Sequence, residues 1–267
     1  DLISSDLVDA IYISTLNNSH KDLAIKAINH NKKVLCEKPL GLNQEEVKEL
    51  EIKLKDKKNF FNEAIAYRAH PQTRELLEIL RNKEFGRIKM IDSNFGFKVR
   101  KIKKDSRLFD RKVGGGSILD LGCYPISFFY LFSNNMEMKI VSSENSMCET
   151  NVDIDGKISL RINDEIDAHG KVSLRDNLIN NCKIYCEHAI ITVPDPWLPQ
   201  KKTFIEVETK SRYYKKIILS EKSVYEHQID ASTDFFSDKN PNLDLLIGIE
   251  QSLKISKIID FWKKNNN

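Results

Sequence analysis

The stretch "VDAIYISTLNNSHKDLAIKAINHNKKVLCEKP" (residues 8–39) decides the fold. Its first eight residues are a short β-branched run of the kind buried on both faces of a parallel sheet. Ser19 can then cap a helix in which Leu23, Ala24, Ala27 and Ile28 recur at helical spacing. A second apolar run, "KVLCEKP", follows and ends in two opposite charges and a proline. Strand, helix and strand with short joints predict a right-handed α/β arrangement.

The pattern continues outward. "NQEEVKELEIKLKDKK" (43–58) has Asn43 as cap, acidic residues in its first turn and lysines in its last, which suits a helix dipole. "NFFNEAIAY" (59–67) reads as a third strand. "HPQTRELLEILRNKEFG" (70–86) reads as a helix closed by Gly86, and "RIKMIDSNFGF" (87–97) as a half-exposed strand. A polar loop leads to "GGGSILDLGCYPISFFYLF" (114–132), a glycine hinge before an apolar helix. Strands are expected at 138–145, 157–163, 168–176, 182–194, 203–209 and 222–229, with a turn at "DIDG" (153–156), making a mostly antiparallel sheet. Residues 240–264 close the chain as an amphipathic helix. The fold class is α/β: part of a Rossmann-type parallel sheet over 1–66, then an α+β domain with a large open sheet over 67–267.

Composition excludes several classes. The 267 residues are 40% hydrophobic and 30% charged, and 42 Lys and Arg nearly balance 39 Asp and Glu. The net charge of +3 favours no particular partner. The basic clusters "KVRKIKK" (98–104) and "YYKKII" (213–218) read as solvated faces, because neither belongs to a nucleic-acid-binding motif. No apolar run approaches the ~18 residues of a membrane span, and the first residues lack the basic and apolar regions of a signal peptide. Five scattered cysteines are expected to be reduced thiols of a cytoplasmic protein. No metal is expected: Cys182, Cys186 and His188 share a strand face but match no usual zinc spacing. Cys36 and Cys123 have no linked base that would make either a nucleophile.

In open parallel sheets, ligands bind beyond the carboxyl ends of the strands. Three such ends here are polar: Thr15 to His20, Glu37-Lys38-Pro39, and Tyr67 to Pro71. Asp120 and Tyr124 lie four apart, hence on one helix face. On spacing alone that pair reads as a polar seal at a domain joint at least as readily as a site. The three glycines at 114–116 lack the lysine of a P-loop and the G-x-G-x-x-G spacing, so close packing or a hinge is their expected role.

Taken together, "VDAIYISTLNNSH", "AIKAINHNKKVLCEKPL", "YRAHP" (67–71) and "GGGSILDLGCYP" (114–125) resemble the glucose–fructose oxidoreductase/inositol dehydrogenase (Gfo/Idh/MocA) family of nicotinamide-dependent oxidoreductases. Tyr124, where many members carry His, resembles the subgroup with dimeric dihydrodiol dehydrogenase and aldose 1-dehydrogenases. The resemblance implies NAD or NADP as cofactor and a sugar-like substrate, an aldose by expectation, oxidised at a hydroxyl or hemiacetal carbon. It implies Lys38 beside the reacting carbon, Tyr124 as acid/base with a pKa lowered by Lys38, and Asp120 on a substrate hydroxyl. Thr15, Asn17 and His20 would line the nicotinamide side, Glu37 the ribose or amide, and Arg68 the cofactor or substrate from the domain joint. The family also implies a dimer or tetramer through the open sheet face. The rival readings are a non-catalytic sugar-binding or assembly module and an NAD-using hydrolase or lyase.

One family element is not in the sequence. The family opens with strand–G-x-G-x-x-G–helix, and this chain begins at Asp1 within a helix tail. The expectation is that about two βαβ steps, on the order of 60 residues at ~30 per unit, precede it in the family. They would hold the pyrophosphate and select between NAD and NADP. Without them the chain is expected to bind cofactor poorly and to leave one edge of its parallel sheet uncovered.

Overall fold

The computed structural model describes residues 2–55, 57, 60–81, 84–134, 136–239 and 245–264. Strands β1 (Ala10–Ile13), β2 (Lys33–Glu37) and β3 (Phe61–Ala64) form a parallel sheet in that order, with Ile13 opposite Cys36 and Cys36 opposite Glu63. Helices α1 (His20–Asn29) and α2 (Gln44–Leu54) make the crossovers. The Asn43 carboxamide accepts from the Glu46 amide at 2.9 Å, as its capping role predicts. Ser19 occupies the cap position of α1, but its hydroxyl donates to the Leu16 carbonyl instead. Ala24, Ala27, Ile28, Val34, Cys36, Val47, Leu50 and Phe61 close the core on this face.

After β3 the chain turns through a 3-10 segment, Ala66–Ala69, into α3 (Pro71–Arg81). Strand β4 (Ile88–Gly96) follows, then α4 (Ser117–Leu121) and α5 (Cys123–Tyr130), which meet at Gly122. Strands β5 (Lys139–Met147), β6 (Asp153–Ile162), β7 (Ile166–Ser173), β8 (Asn181–Cys186), β9 (Ala189–Pro194), β10 (Lys202–Thr209) and β11 (Tyr213–Leu219) come next. With β4 they form one eight-stranded sheet in the order β11-β10-β9-β8-β4-β7-β6-β5. Its pairs are antiparallel except β4 with β7. Helices α3, α4, α5 and the terminal α7 (Ile249–Lys264) pack on one face.

Four local expectations are corrected. Residues 222–229, expected as a strand, begin helix α6 (Val224–Phe236). The reason is a capping box: Ser223 Oγ accepts from the Glu226 amide at 3.3 Å, and the Glu226 carboxylate accepts from the Ser223 amide at 2.7 Å. The cluster at 213–218 does face solvent, but as edge strand β11, which is missing from the expected strands and where lysines are the usual protection of a free edge. The run at 182–194 is a hairpin, β8 and β9, turning at Glu187 and His188. "DIDG" lies inside β6 rather than in a turn, because the Asp153 side chain caps α4. Residue 59 of the expected third strand and residues 240–244 of the expected terminal helix lie outside the described residues.

Candidate active site

Three pieces of chain meet at one place. β2 ends in Glu37, and the following Lys38–Pro39 peptide is cis. The Lys38 ammonium donates to the Asp120 carbonyl at 2.7 Å and to its carboxylate at 3.2 Å. It also stands 5.1 Å from the centroid of the Tyr124 ring. Arg107, from the loop after β4, donates to the same Asp120 oxygen at 3.0 Å. Asp120 and Tyr124 sit on either side of the Gly122 joint and both face Lys38, so the helix break does not separate them.

The local sequence explains why these groups hold still. Leu40 donates its amide to the buried Glu63 carboxylate at 3.1 Å, and Glu63 also accepts from Ser252 Oγ at 2.5 Å. The turn carrying Lys38 is thus tied to both β3 and α7. The start of α4 is held by Asp153, which accepts from Ile118 N at 2.6 Å and Ser117 Oγ at 2.8 Å. A Cβ at Gly116, whose φ is +119°, would stand 2.5 Å from that carboxylate, so only glycine leaves room for the cap. The glycine run is therefore used for close packing.

Burial opposes the charged forms of Lys38, Asp120 and Tyr124, and neighbouring charges decide which of them ionise. It pushes the Asp120 carboxyl up, but Lys38 and then Arg107 outweigh it, and the pKa lies below the ordinary value. For Lys38, burial works against the cation, while Tyr124 and Asp120 reverse it, so the amine stays protonated. The Tyr124 phenol is pushed up by burial, with Lys38 only partly opposing. This corrects the expected lowering: a ring walled by Phe95 at 5.0 Å and Trp197 at 5.7 Å loses more from lost hydration than it gains from one cation.

The remaining candidates divide. Thr15 is exposed at the β1 end, its hydroxyl 2.7 Å from Ser19 Oγ. Asn17 donates to the Gly114 carbonyl at 3.3 Å, joining that loop to the glycine turn. Glu37 is half-buried and accepts from the Tyr12 hydroxyl. His20 is fully buried, with its ring nitrogens 2.9 Å from the Pro39 carbonyl and 3.1 Å from that of Thr15. It braces the two strand ends from behind rather than lining a pocket. Arg68 is also buried: it donates to the Ser127 carbonyl at 2.7 Å and lines a different cavity with Asn62, Tyr130 and Gln251. The residues not foreseen are Arg107, Glu63, Phe95 and Trp197. Only Arg107, thirteen positions before Asp120 in a polar loop, had a chemical signal, and nothing in the sequence distinguished it from its basic neighbours. Among the described residues, no group of three or more His, Cys, Asp or Glu stands ready to hold a metal.

A family model described as "Oxidoreductase family, NAD-binding Rossmann fold" matches residues 1–64, and the GFO/IDH/MocA C-terminal domain matches residues 73–192. The trans-1,2-dihydrobenzene-1,2-diol dehydrogenase of Xenopus tropicalis is 30% identical over 208 residues, 78% of this chain and 61% of the relative. The mouse enzyme of that name is 28% identical over 74% of this chain and 59% of its own length. The chain thus spans about three fifths of these relatives. A 3-ketoreductase from Actinomadura kijaniata, solved with NADP and TDP-benzene, superposes with a TM-score of 0.87 at 20% identity, over 100% of this chain and 81% of that one. An aldose-aldose oxidoreductase from Caulobacter crescentus gives 0.85 at 16% identity, over 98% and 78%. The two family models and these relatives show that the chain belongs to the GFO/IDH/MocA family of oxidoreductases.

Proposed function

We propose that this protein is a nicotinamide-dependent oxidoreductase acting on a hydroxyl or hemiacetal carbon of a sugar-like ring, with an aldose as the preferred class. The observation that carries the reading is the Lys38 ammonium, bonded to Asp120 and set against the face of the Tyr124 ring. Residues 1–66 are read as the cofactor side and residues 67–267 as the substrate side. The named substrates of the relatives, a ring diol and aldoses, share a ring hydroxyl.

The groups at the β1 and β2 ends fit a nicotinamide nucleoside: the exposed Thr15 hydroxyl and the Glu37 carboxylate suit its carboxamide and ribose hydroxyls. Asn17 would close the wall, while His20 and Arg68 act as braces. NAD or NADP, when bound, supplies the hydride acceptor or donor. The protein's own part is proton chemistry. A phenol kept neutral by burial can donate its Oη proton to a carbonyl oxygen being reduced; in the oxidation direction only the phenolate, which the Lys38 cation favours, can take the proton from the hydroxyl. Lys38 stabilises negative charge on either oxygen during the transfer. Asp120 and Arg107 offer an acceptor and a donor for a neighbouring hydroxyl, and the Phe95 and Trp197 rings give the site an apolar wall suited to a sugar face. We place the protein in the cytoplasm as a homo-oligomer joined through the open sheet face, in keeping with five unpaired cysteines.

The test is turnover of NAD or NADP with aldoses and cyclic diols by the protein with a complete cofactor-binding domain, followed by nicotinamide absorbance. Lys38→Ala and Tyr124→Phe should each lower turnover by about 10²–10⁴-fold with unchanged circular dichroism. Near-normal rates in both variants, or no turnover by the wild type, would overturn the reading.

A further inference from the structure

The loop between β4 and the 3-10 turn at Arg111–Val113 carries Lys98, Arg100, Lys101, Lys103 and Lys104 against a single acid, Asp105, before it reaches Arg107. Both ends of this loop touch the site. At one end Phe95 packs edge-on against the Tyr124 ring at 5.0 Å, and at the other Arg107 binds Asp120 at 3.0 Å. Lys98 and Lys104 are each three residues from one of these contacts, ~11 Å of chain at 3.8 Å per step.

The loop has a defined course. The amides of Phe97 and Val99 donate to the carbonyls of Ser173 and Leu174 at 3.0 and 2.9 Å, and Lys98 N donates to Asn177 Oδ1 at 2.8 Å. Val99, Ile102 and Leu108 are half-buried against the core, which leaves the cations between them on the outside. Several lysines elsewhere on the surface, Lys21, Lys139, Lys157, Lys215, Lys222 and Lys257 among them, form ion pairs with carboxylates. Among the described residues the five loop cations form none. Five like charges along one loop repel one another, and an anion brought to the loop relieves that repulsion.

We propose that this loop recognises an anionic substituent, a phosphate or a carboxylate, carried by the ring whose hydroxyl meets Tyr124. The inference rests on the oxidoreductase reading and narrows it to charged sugar-like substrates. The spacing of the cations along an extended loop suits a substituent outside the reacting ring, so the charge sets affinity and encounter rate rather than the proton transfer.

Isothermal titration of the protein with a complete cofactor-binding domain against glucose, glucose 6-phosphate and glucuronate, in the presence of NADP, tests this. One or both charged sugars should bind on the order of tenfold more tightly than glucose at low salt, and the gap should close as salt screens the loop. A stronger phosphate or carboxylate arm identifies the substituent. The Lys101→Glu/Lys103→Glu/Lys104→Glu variant should abolish the difference while glucose and NADP bind as before, and the corresponding triple Gln variant should reduce it. Equal affinity for charged and neutral sugars in the wild type, a preference that survives both variants, or no binding of any of the three overturns the proposal. If glucose is turned over as well as its charged relatives, the oxidoreductase reading stands and the anion inference alone falls.

Discussion

Lys38 and Asp120 are 82 positions apart in the chain, yet the ion pair between them is nearly buried. Removing one partner of such a pair leaves the other charge without compensation in a poorly solvated place. Asp120→Asn should therefore lower stability at neutral pH by on the order of 3 kcal/mol, read from urea unfolding. The pH dependence has a definite sign. Asp120 has a folded pKa below its unfolded value of about 3.9, so its contribution is complete above that value and is lost as pH falls through the folded pKa. Wild type and Asp120→Asn should converge at acid pH; a constant difference would remove the ion-pair account. The Lys38 and Asp120 side chains were legible as a pair only through the family motif. Arg107 was not legible, because an arginine among eight basic residues in one polar loop carries no mark of the carboxylate it will meet.

At the scale of elements, the parallel strands and their crossover helices were readable because each is encoded locally. Apolar β-branched runs, a capping asparagine and charge placed along the dipole all sit within one segment. Helix α6 shows the limit of that reading. "KSVYEHQI" alternates well enough for a strand, but the reciprocal bonds between Ser223 and Glu226 start a helix, and Val224, Gln228, Ser232 and Phe236 then fall on one buried face. Ser223→Ala should cost about 1 kcal/mol in urea unfolding. No loss would mean that packing against the 3-10 segment, rather than the cap, sets this helix. Strand β11 was missed for the opposite reason: its lysines read only as a solvated face, and only pairing with β10 makes them the guarded edge of a sheet.

At the scale of the molecule, α7 joins the two cores, with Ile249 in one and Ile255, Ile258, Ile259 and Trp262 in the other. The face of the large sheet away from the helices carries Ile190, Phe204, Ile217 and Leu219 on neighbouring strands, with Ile217 50% and Leu219 72% exposed. If that face joins two copies, Ile190→Asp with Ile217→Asp should convert a dimer to a monomer in sedimentation velocity; a wild type that sediments as a monomer removes the proposal. By itself the sequence determined which runs become strands and helices of the parallel sheet, and that a lysine, an aspartate and a tyrosine stand in a family-like order. Those are local signals, carried by spacing, caps and motif residues. Only the tertiary structure decided that Glu63 and Asp153 hold the site, that burial outweighs the Lys38 cation at Tyr124, and that His20 and Arg68 face inward. Each of these depends on which surfaces are removed from water when distant segments meet, and no single segment carries that information.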